Sequence, residues 1–126
     1  MTKPTEYPLE WVRGTTTPLV FAIRRSGVPV PFDDVRLSVF KKDGKTLVFR
    51  ATYSDSGGIT VVNPATGLMK FQPTPEQTRA LVKSKDGVTP QNIYELEYWD
   101  SGSQEVYLMG TVLAVGGIND DEDDAS

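Results

Sequence analysis

Cysteine and histidine are both absent from the 126-residue chain. Without cysteine there is no disulfide, no thiolate metal site and no thiol nucleophile. Without histidine the commonest general base, the commonest metal ligand and every Ser-His-Asp triad are gone. Long apolar runs are missing too. Nothing approaches the ~18 residues that span a bilayer, and Met1-Thr-Lys-Pro lacks the apolar stretch of a signal peptide. These features lead to the expectation of a protein made in a cytoplasm, with no membrane partner. Neither GxxxxGKS/T nor GxGxxG occurs among the glycines, so no phosphate-cradling loop and no cofactor is expected. A basic excess is also lacking. There are 17 acidic and 13 basic side chains, for a net charge of −4. Five of the acids are Asp120, Asp121, Glu122, Asp123 and Asp124; outside them 12 acidic residues face 13 basic ones, about +1. A nearly neutral body argues against nucleic acid as a partner, since that needs a clustered basic face.

What is present is strand pattern. In the stretch from Trp11 to Arg24, Leu19, Phe21 and Ile23 fall on one face and Val20, Ala22 and Arg24 on the other, the period of a half-buried β-strand. Such a strand needs a second sheet to cover it. The length suggests one domain, large enough to bury about two-thirds of its unfolded surface. Residues 1–14, with Pro4, Tyr7, Pro8 and Trp11, read as an extended arm too apolar to be a purely solvated terminus. Residues 15–117 read as the folded domain and 118–126 as an acidic tail.

Within the domain seven strands are predicted, at about 17–25, 35–41, 46–53, 59–62, 68–72, 92–99 and 104–115. Gly27-Val-Pro-Val-Pro31 reads as a connector. Asp43-Gly44 suits a type I′ hairpin turn. Asn63-Pro-Ala-Thr-Gly67 and Ser101-Gly102-Ser103 are further turns. Thr74-Pro75-Glu76-Gln77 carries a capping box with proline at the first helical position, so 75–83 is predicted to be a short helix with Ala80 and Leu81 facing the core. The predicted core contains Leu19, Phe21, Ile23, Leu37, Val39, Leu96 and Val112. Short strands with turns every 8–12 residues suggest an all-β, antiparallel sandwich.

Little in the chain points to chemistry. Asp33 and Asp34 are adjacent and so point to opposite sides of an extended backbone; turn and cap roles suit them. Glu95 and Glu97 share a face at a separation of ~7 Å. That spacing resembles the carboxylate pair of a retaining glycosidase, but a solvated strand face is its usual meaning. The acidic run lacks the spacing of an EF-hand loop and reads as a solvated tail. Trp11 and Trp99 are candidates for a sugar-stacking platform, with core and interface the commoner fate. No catalytic, cofactor-binding or metal residues are assigned.

Arg13-Gly-Thr-Thr, Leu19-Val-Phe-Ala-Ile23, Gly27-Val-Pro, Val35-Arg-Leu-Ser-Val39-Phe-Lys41, Gly58-Ile-Thr-Val-Val-Asn-Pro-Ala-Thr-Gly67, Pro73-Thr-Pro-Glu-Gln-Thr78, Tyr94-Glu-Leu-Glu97 and Met109-Gly-Thr-Val112 follow one another in an order that resembles the N-terminal domain family of upper baseplate proteins of tailed bacteriophages. The resemblance covers about residues 11–118. It departs at Thr15, where that family often has Asp, and in lacking a long fibre region. It implies an immunoglobulin-like sandwich in a virion, docking one protein onto another as a tail or baseplate adaptor, with other virion proteins and copies of itself as partners. A head-decoration protein and a host-surface carbohydrate-binding module are the alternatives. The second face of the last strand is apolar, so Tyr107, Met109 and Leu113, with Tyr7 and Trp11 of the arm, are expected to contact another chain. The acids at 120–124 are expected to meet a basic surface on that partner.

Overall fold

The computed structural model describes residues 5–116. The acidic run and the rest of the expected tail lie outside the described residues. In chain order the elements are β1 (Thr5–Glu6), β2 (Leu9–Val12), β3 (Leu19–Ala22), β4 (Arg24–Arg25), β5 (Val28–Pro29), β6 (Asp34–Lys41), β7 (Leu47–Thr52), a single 3-10 turn (Ser54–Ser56), β8 (Ile59–Asn63), β9 (Leu68–Phe71), α1 (Pro75–Ala80), β10 (Asn92–Asp100) and β11 (Ser103–Val115).

These strands make two layers. The larger sheet runs β7-β6-β10-β11, with β1 and β2 both pairing with the far side of β11. The smaller has the order β3-β9-β8. Neighbours are antiparallel except β1 and β2, which run parallel to β11. In immunoglobulin terms β11, β10, β6 and β7 stand as G, F, C and C′, and β3, β9 and β8 as B, E and D, the variable-type enlargement of the G-F-C sheet. The protein is an all-β, antiparallel, immunoglobulin-like β-sandwich with one short helix.

The core forms where the inner faces meet. Phe71 of the small sheet stacks on Phe49 of the large one, centroids 5.7 Å apart, and takes the edge of Trp11 at 6.2 Å. Val35, Leu37, Val39, Leu96, Val112 and Ala114 close it with no exposed area. Of the predicted core residues, Phe21, Ile23, Leu37, Val39, Leu96 and Val112 are buried, while Leu19 is half-buried at the start of its strand. Asp33 and Asp34 do cap turns: the Asp34 carboxylate accepts from the Ser54 N–H and hydroxyl, and that of Asp33 from the Ser101 N–H.

Four expectations need correction. First, the segment read as an arm is part of the sandwich from residue 5. Leu9 and Trp11 pair with β11 and point inward, and the indole N–H of Trp11 donates to the Thr17 carbonyl at 2.8 Å. Burying an amphipathic strand on an open sheet edge removes apolar surface and satisfies that edge's backbone at once. Second, type I′ geometry is absent at Asp43-Gly44, where only Gly44 has positive φ. There the Asp43 carboxylate accepts from the amides of Lys45 and Thr46, closing a longer loop. The two-residue hairpins are at Ser26-Gly27, which joins β4 to β5 inside the expected strand one and connector, and at Ser101-Gly102; all four residues have positive φ, as I′ turns require.

Third, the capping box of Thr74 and Gln77 forms as predicted, but α1 ends at Ala80. Ala80 is exposed, and Thr78 and Leu81 are the buried positions. The chain leaves the helix because Val82 and Ser84 are claimed by the sheet: the Val82 N–H donates to the Asn92 side chain and the Ser84 N–H to the Ala114 carbonyl. Fourth, Glu97 is not solvated. It is 8% exposed and faces Arg36 at 3.3 Å.

Candidate interaction surface

Antiparallel partners share a face. The registers of the large sheet therefore name its outer surface directly. Moving across from β6, Phe40 stands beside Ile93, and Ile93 beside Thr111; Ser38 stands beside Glu95, and Glu95 beside Met109. On the other side of β11, Leu113 stands beside Glu10 and Val115 beside Val12. Leu47 joins this face opposite Phe40. Nothing among the described residues covers it. Leu47 is 45% exposed, Val12 38% and Met109 36%. Phe40, Ile93, Leu113 and Val115 are half-buried, as side chains lying flat on a sheet are.

The same face changes character toward the Ser101-Gly102 hairpin. The Arg36 guanidinium lies 4.7 Å above the Trp99 ring while pairing with Glu97, and the Gln104 amide donates to the other Glu97 oxygen. Arg50 donates to the Ser38 hydroxyl at 3.0 Å. This end is a polar network, in which the buried Arg36 Nε has no hydrogen-bond partner among the described residues.

A bulge on β11 separates the two ends. Leu96 pairs with Leu108 but Glu97 pairs with Val106, leaving Tyr107 as an extra residue. A one-residue insertion reverses the faces of everything beyond it. Strict alternation had placed Tyr107 outward with Met109 and Leu113, and Val106 inward with Leu108. Instead Tyr107 turns to the inner side, packs edge-on against Tyr98 at 6.2 Å and exchanges hydrogen bonds with the Arg24 backbone. Val106 takes the outer position opposite Glu97. Tyr98 is held in turn by Arg25 and Glu105.

The residues expected at an interface are thus divided. Met109 and Leu113 share the apolar outer face. Tyr7 lies beside it at the edge, 54% exposed, with its N–H donating to the Met109 carbonyl. Trp11 and Tyr107 are turned inward. Trp11 and Trp99 lie on opposite faces of the sheet, so they form no joint stacking platform. The acids at 120–124 lie outside the described residues. Sequence reasoning missed Phe40, Leu47, Ile93 and Val12 as members of the outer face, while alternation along β11 already places Val115 there; cross-strand register, which no single strand carries, is what groups the other four.

The edge at Tyr7 is anchored by a close approach. A Cβ at Gly110 would lie 2.5 Å from the Tyr7 carbonyl oxygen, so only glycine lets the chain pass there. The Tyr94 hydroxyl, facing Gly110 from β10, donates to that carbonyl at 2.7 Å. Burial, with a smaller effect from Tyr7, pushes the Tyr94 phenol up to about 12.

A separate apolar cleft of about 480 Å³ opens between the sheets, lined chiefly by Pro29, Pro31, Phe32, Tyr53, Val61 and Met69. Phe32 and Tyr53 meet edge to face at 5.3 Å on its wall. Among the described residues no group of three His, Cys, Asp or Glu side chains is placed to hold a metal ion, and no helix is long and apolar enough to cross a membrane.

No family model matches this chain, and no curated protein matches it. Among solved structures it is similar to the crystal structure of Dscam1 isoform 4.4, N-terminal four Ig domains, at 15% identity and a TM-score of 0.28, over 91% of this chain and 26% of that one. The immunoglobulin-like assignment rests on this chain's own strand order.

Proposed function

We propose that this protein is a non-enzymatic structural subunit of a tailed-phage virion, a tail or baseplate adaptor that docks onto its neighbours through the apolar half of its outer sheet face. One observation carries the reading: Leu47, Phe40, Ile93, Met109, Leu113 and Val12 stand on one outward surface of the large sheet that spans five strands from β7 to β2, and nothing among the described residues covers it. Contiguous exposed apolar area of this kind marks an interaction site. The sequence motifs supply the virion context by resemblance, and other virion proteins or further copies of this chain are the partners that fit. Nucleic acid and membrane are not needed as partners in this reading.

The test is incorporation into particles that lack this subunit. Wild-type protein should be taken up, and Met109→Asp with Leu113→Asp should not, while both melt within a few degrees of each other. Equal uptake of the double variant would remove the outer face from the docking role. Absence of the wild-type protein from purified particles would overturn the virion reading itself.

A further inference from the structure

The near-neutral body conceals a local concentration of positive charge, and the fold places it where β11 ends. Successive carbonyls of β11 point to opposite sides. That of Val115 accepts from the Arg13 N–H at 2.9 Å, and that of Ala114 from the Ser84 N–H at 2.8 Å. Arg13 on one side and Lys83 and Lys85 on the other therefore flank the last two residues of the strand. Ser84 is buried, and Lys83 and Lys85 on either side of it lie nearer the surface. Arg79 completes the group. Its carbonyl accepts from the Arg13 guanidinium at 2.8 Å, and its own guanidinium lies 3.2–3.5 Å from where a side chain would begin at Gly14. The buried Thr78 hydroxyl fixes this turn, accepting from the Gly14 N–H and donating to the Thr15 carbonyl. Asp86, next to Lys85 in the chain, has its carboxylate taken by Ser84, Val88 and Thr89 of its own loop.

Four residues after Gly116 comes the acidic run Asp120, Asp121, Glu122, Asp123 and Asp124. We infer that the cation cluster of Arg13, Arg79, Lys83 and Lys85 is the docking site for this acidic segment of the same chain. The spacer spans at most about 14 Å when extended, and the cations sit one hydrogen bond either side of the strand it leaves. A tether this short gives an effective concentration in the millimolar range, so the chain's own segment outcompetes the same segment on a second copy at ordinary protein concentrations. Opposite charge supplies the attraction, which salt screens over about 10 Å at 0.1 M and about 3 Å at 1 M. The sequence led to expecting the basic surface on a partner; the topology supplies one in cis.

The experiment uses the full chain and a full-chain variant with the run neutralised (Asp120→Asn, Asp121→Asn, Glu122→Gln, Asp123→Asn, Asp124→Asn). At low salt the two should differ in the backbone amide resonances of Arg13, Gly14, Arg79, Lys83 and Lys85, and the difference should vanish near 1 M salt. A synthetic peptide of residues 117–126, added at low salt, should shift those resonances in the neutralised variant and bind the wild type at least about tenfold more weakly. Arg79→Gln with Lys85→Gln, placed in the neutralised chain, should abolish the peptide response. Equal peptide binding to wild type and neutralised chain would mean that the cluster is not occupied in cis. No resonance difference at low salt, or one that survives high salt, would overturn the docking altogether.

Discussion

At its hairpin end the outer face of the large sheet presents Gln104, Glu97, Arg36 and Trp99, each engaged by the next. Beyond the bulge, the same face presents Met109, Leu113, Val115 and Val12, flanked by Glu95 and Glu10 and covered by nothing among the described residues. Both ends lie on one face of the same sheet and are joined by β11. They differ because charged groups satisfy each other laterally within a face, whereas apolar groups on a flat sheet need a covering layer. The polar end is largely satisfied by its own members, with the buried Arg36 Nε left over, and the apolar end has no covering layer among the described residues.

The comparison is sharpened most by neighbours on opposite faces of β2. Trp11→Ala should cost about 3–5 kcal/mol in urea unfolding, while Val12→Ala should stay within about 0.5 kcal/mol. Similar costs for the two would mean that β2 sits one residue out of register. Next comes the polar end. Arg36→Ala leaves the Glu97 carboxylate without its cation and Trp99 uncovered, for an expected loss of about 1–2 kcal/mol by the same measurement. An unchanged midpoint would show that the network is only decoration. Gly110→Ala should cost about 1–2 kcal/mol by driving a methyl group into the Tyr7 carbonyl. Its signature is local: hydrogen exchange at the Tyr7 amide should rise more than at Val39, and uniform acceleration would contradict the anchoring role.

A pH dependence follows from Tyr94. Its folded pKa is raised to about 12, so the neutral phenol is favoured by folding. The contribution is full below the unfolded value of about 10 and is lost as pH rises toward 12. Tyr94→Phe should flatten that part of the stability profile, and an unchanged alkaline slope would sink the assignment. The smallest effect on folding is expected at the apolar end itself. Met109→Ser with Leu113→Ser should leave the urea midpoint within about 0.5 kcal/mol of wild type and reduce only assembly. A large loss of stability would mean that these side chains already have a cover within the chain.

The positions of β3, β6 to β9, β10 and β11, the capping box at Thr74 and the cap roles of Asp33 and Asp34 were legible because each depends on residues close in the chain. Period-two alternation, turn residues and a four-residue cap are local signals. The outer face was legible only in part. Met109 and Leu113 stood out by alternation along one strand, but Phe40, Ile93 and Val12 join them through register with other strands. The end of α1 at Ala80 was not legible, because the sheet claims Val82 and Ser84 from outside the helix.

By itself the amino-acid order determined that this would be a sandwich of short antiparallel strands without thiol or imidazole chemistry, since composition and local periodicity suffice for that. Tertiary structure alone decided three further things. Trp11 points inward, because an apolar strand beside β11 is most stable with its largest side chain in the core. Tyr107 leaves the outer face, because Leu96 and Glu97 pair with residues two apart on β11. Arg13 and the segment 83–85 come to the two sides of the end of β11, because that end hydrogen-bonds to segments about 70 residues apart in the chain. Each is a matter of which distant backbone groups find each other, and no local pattern encodes that.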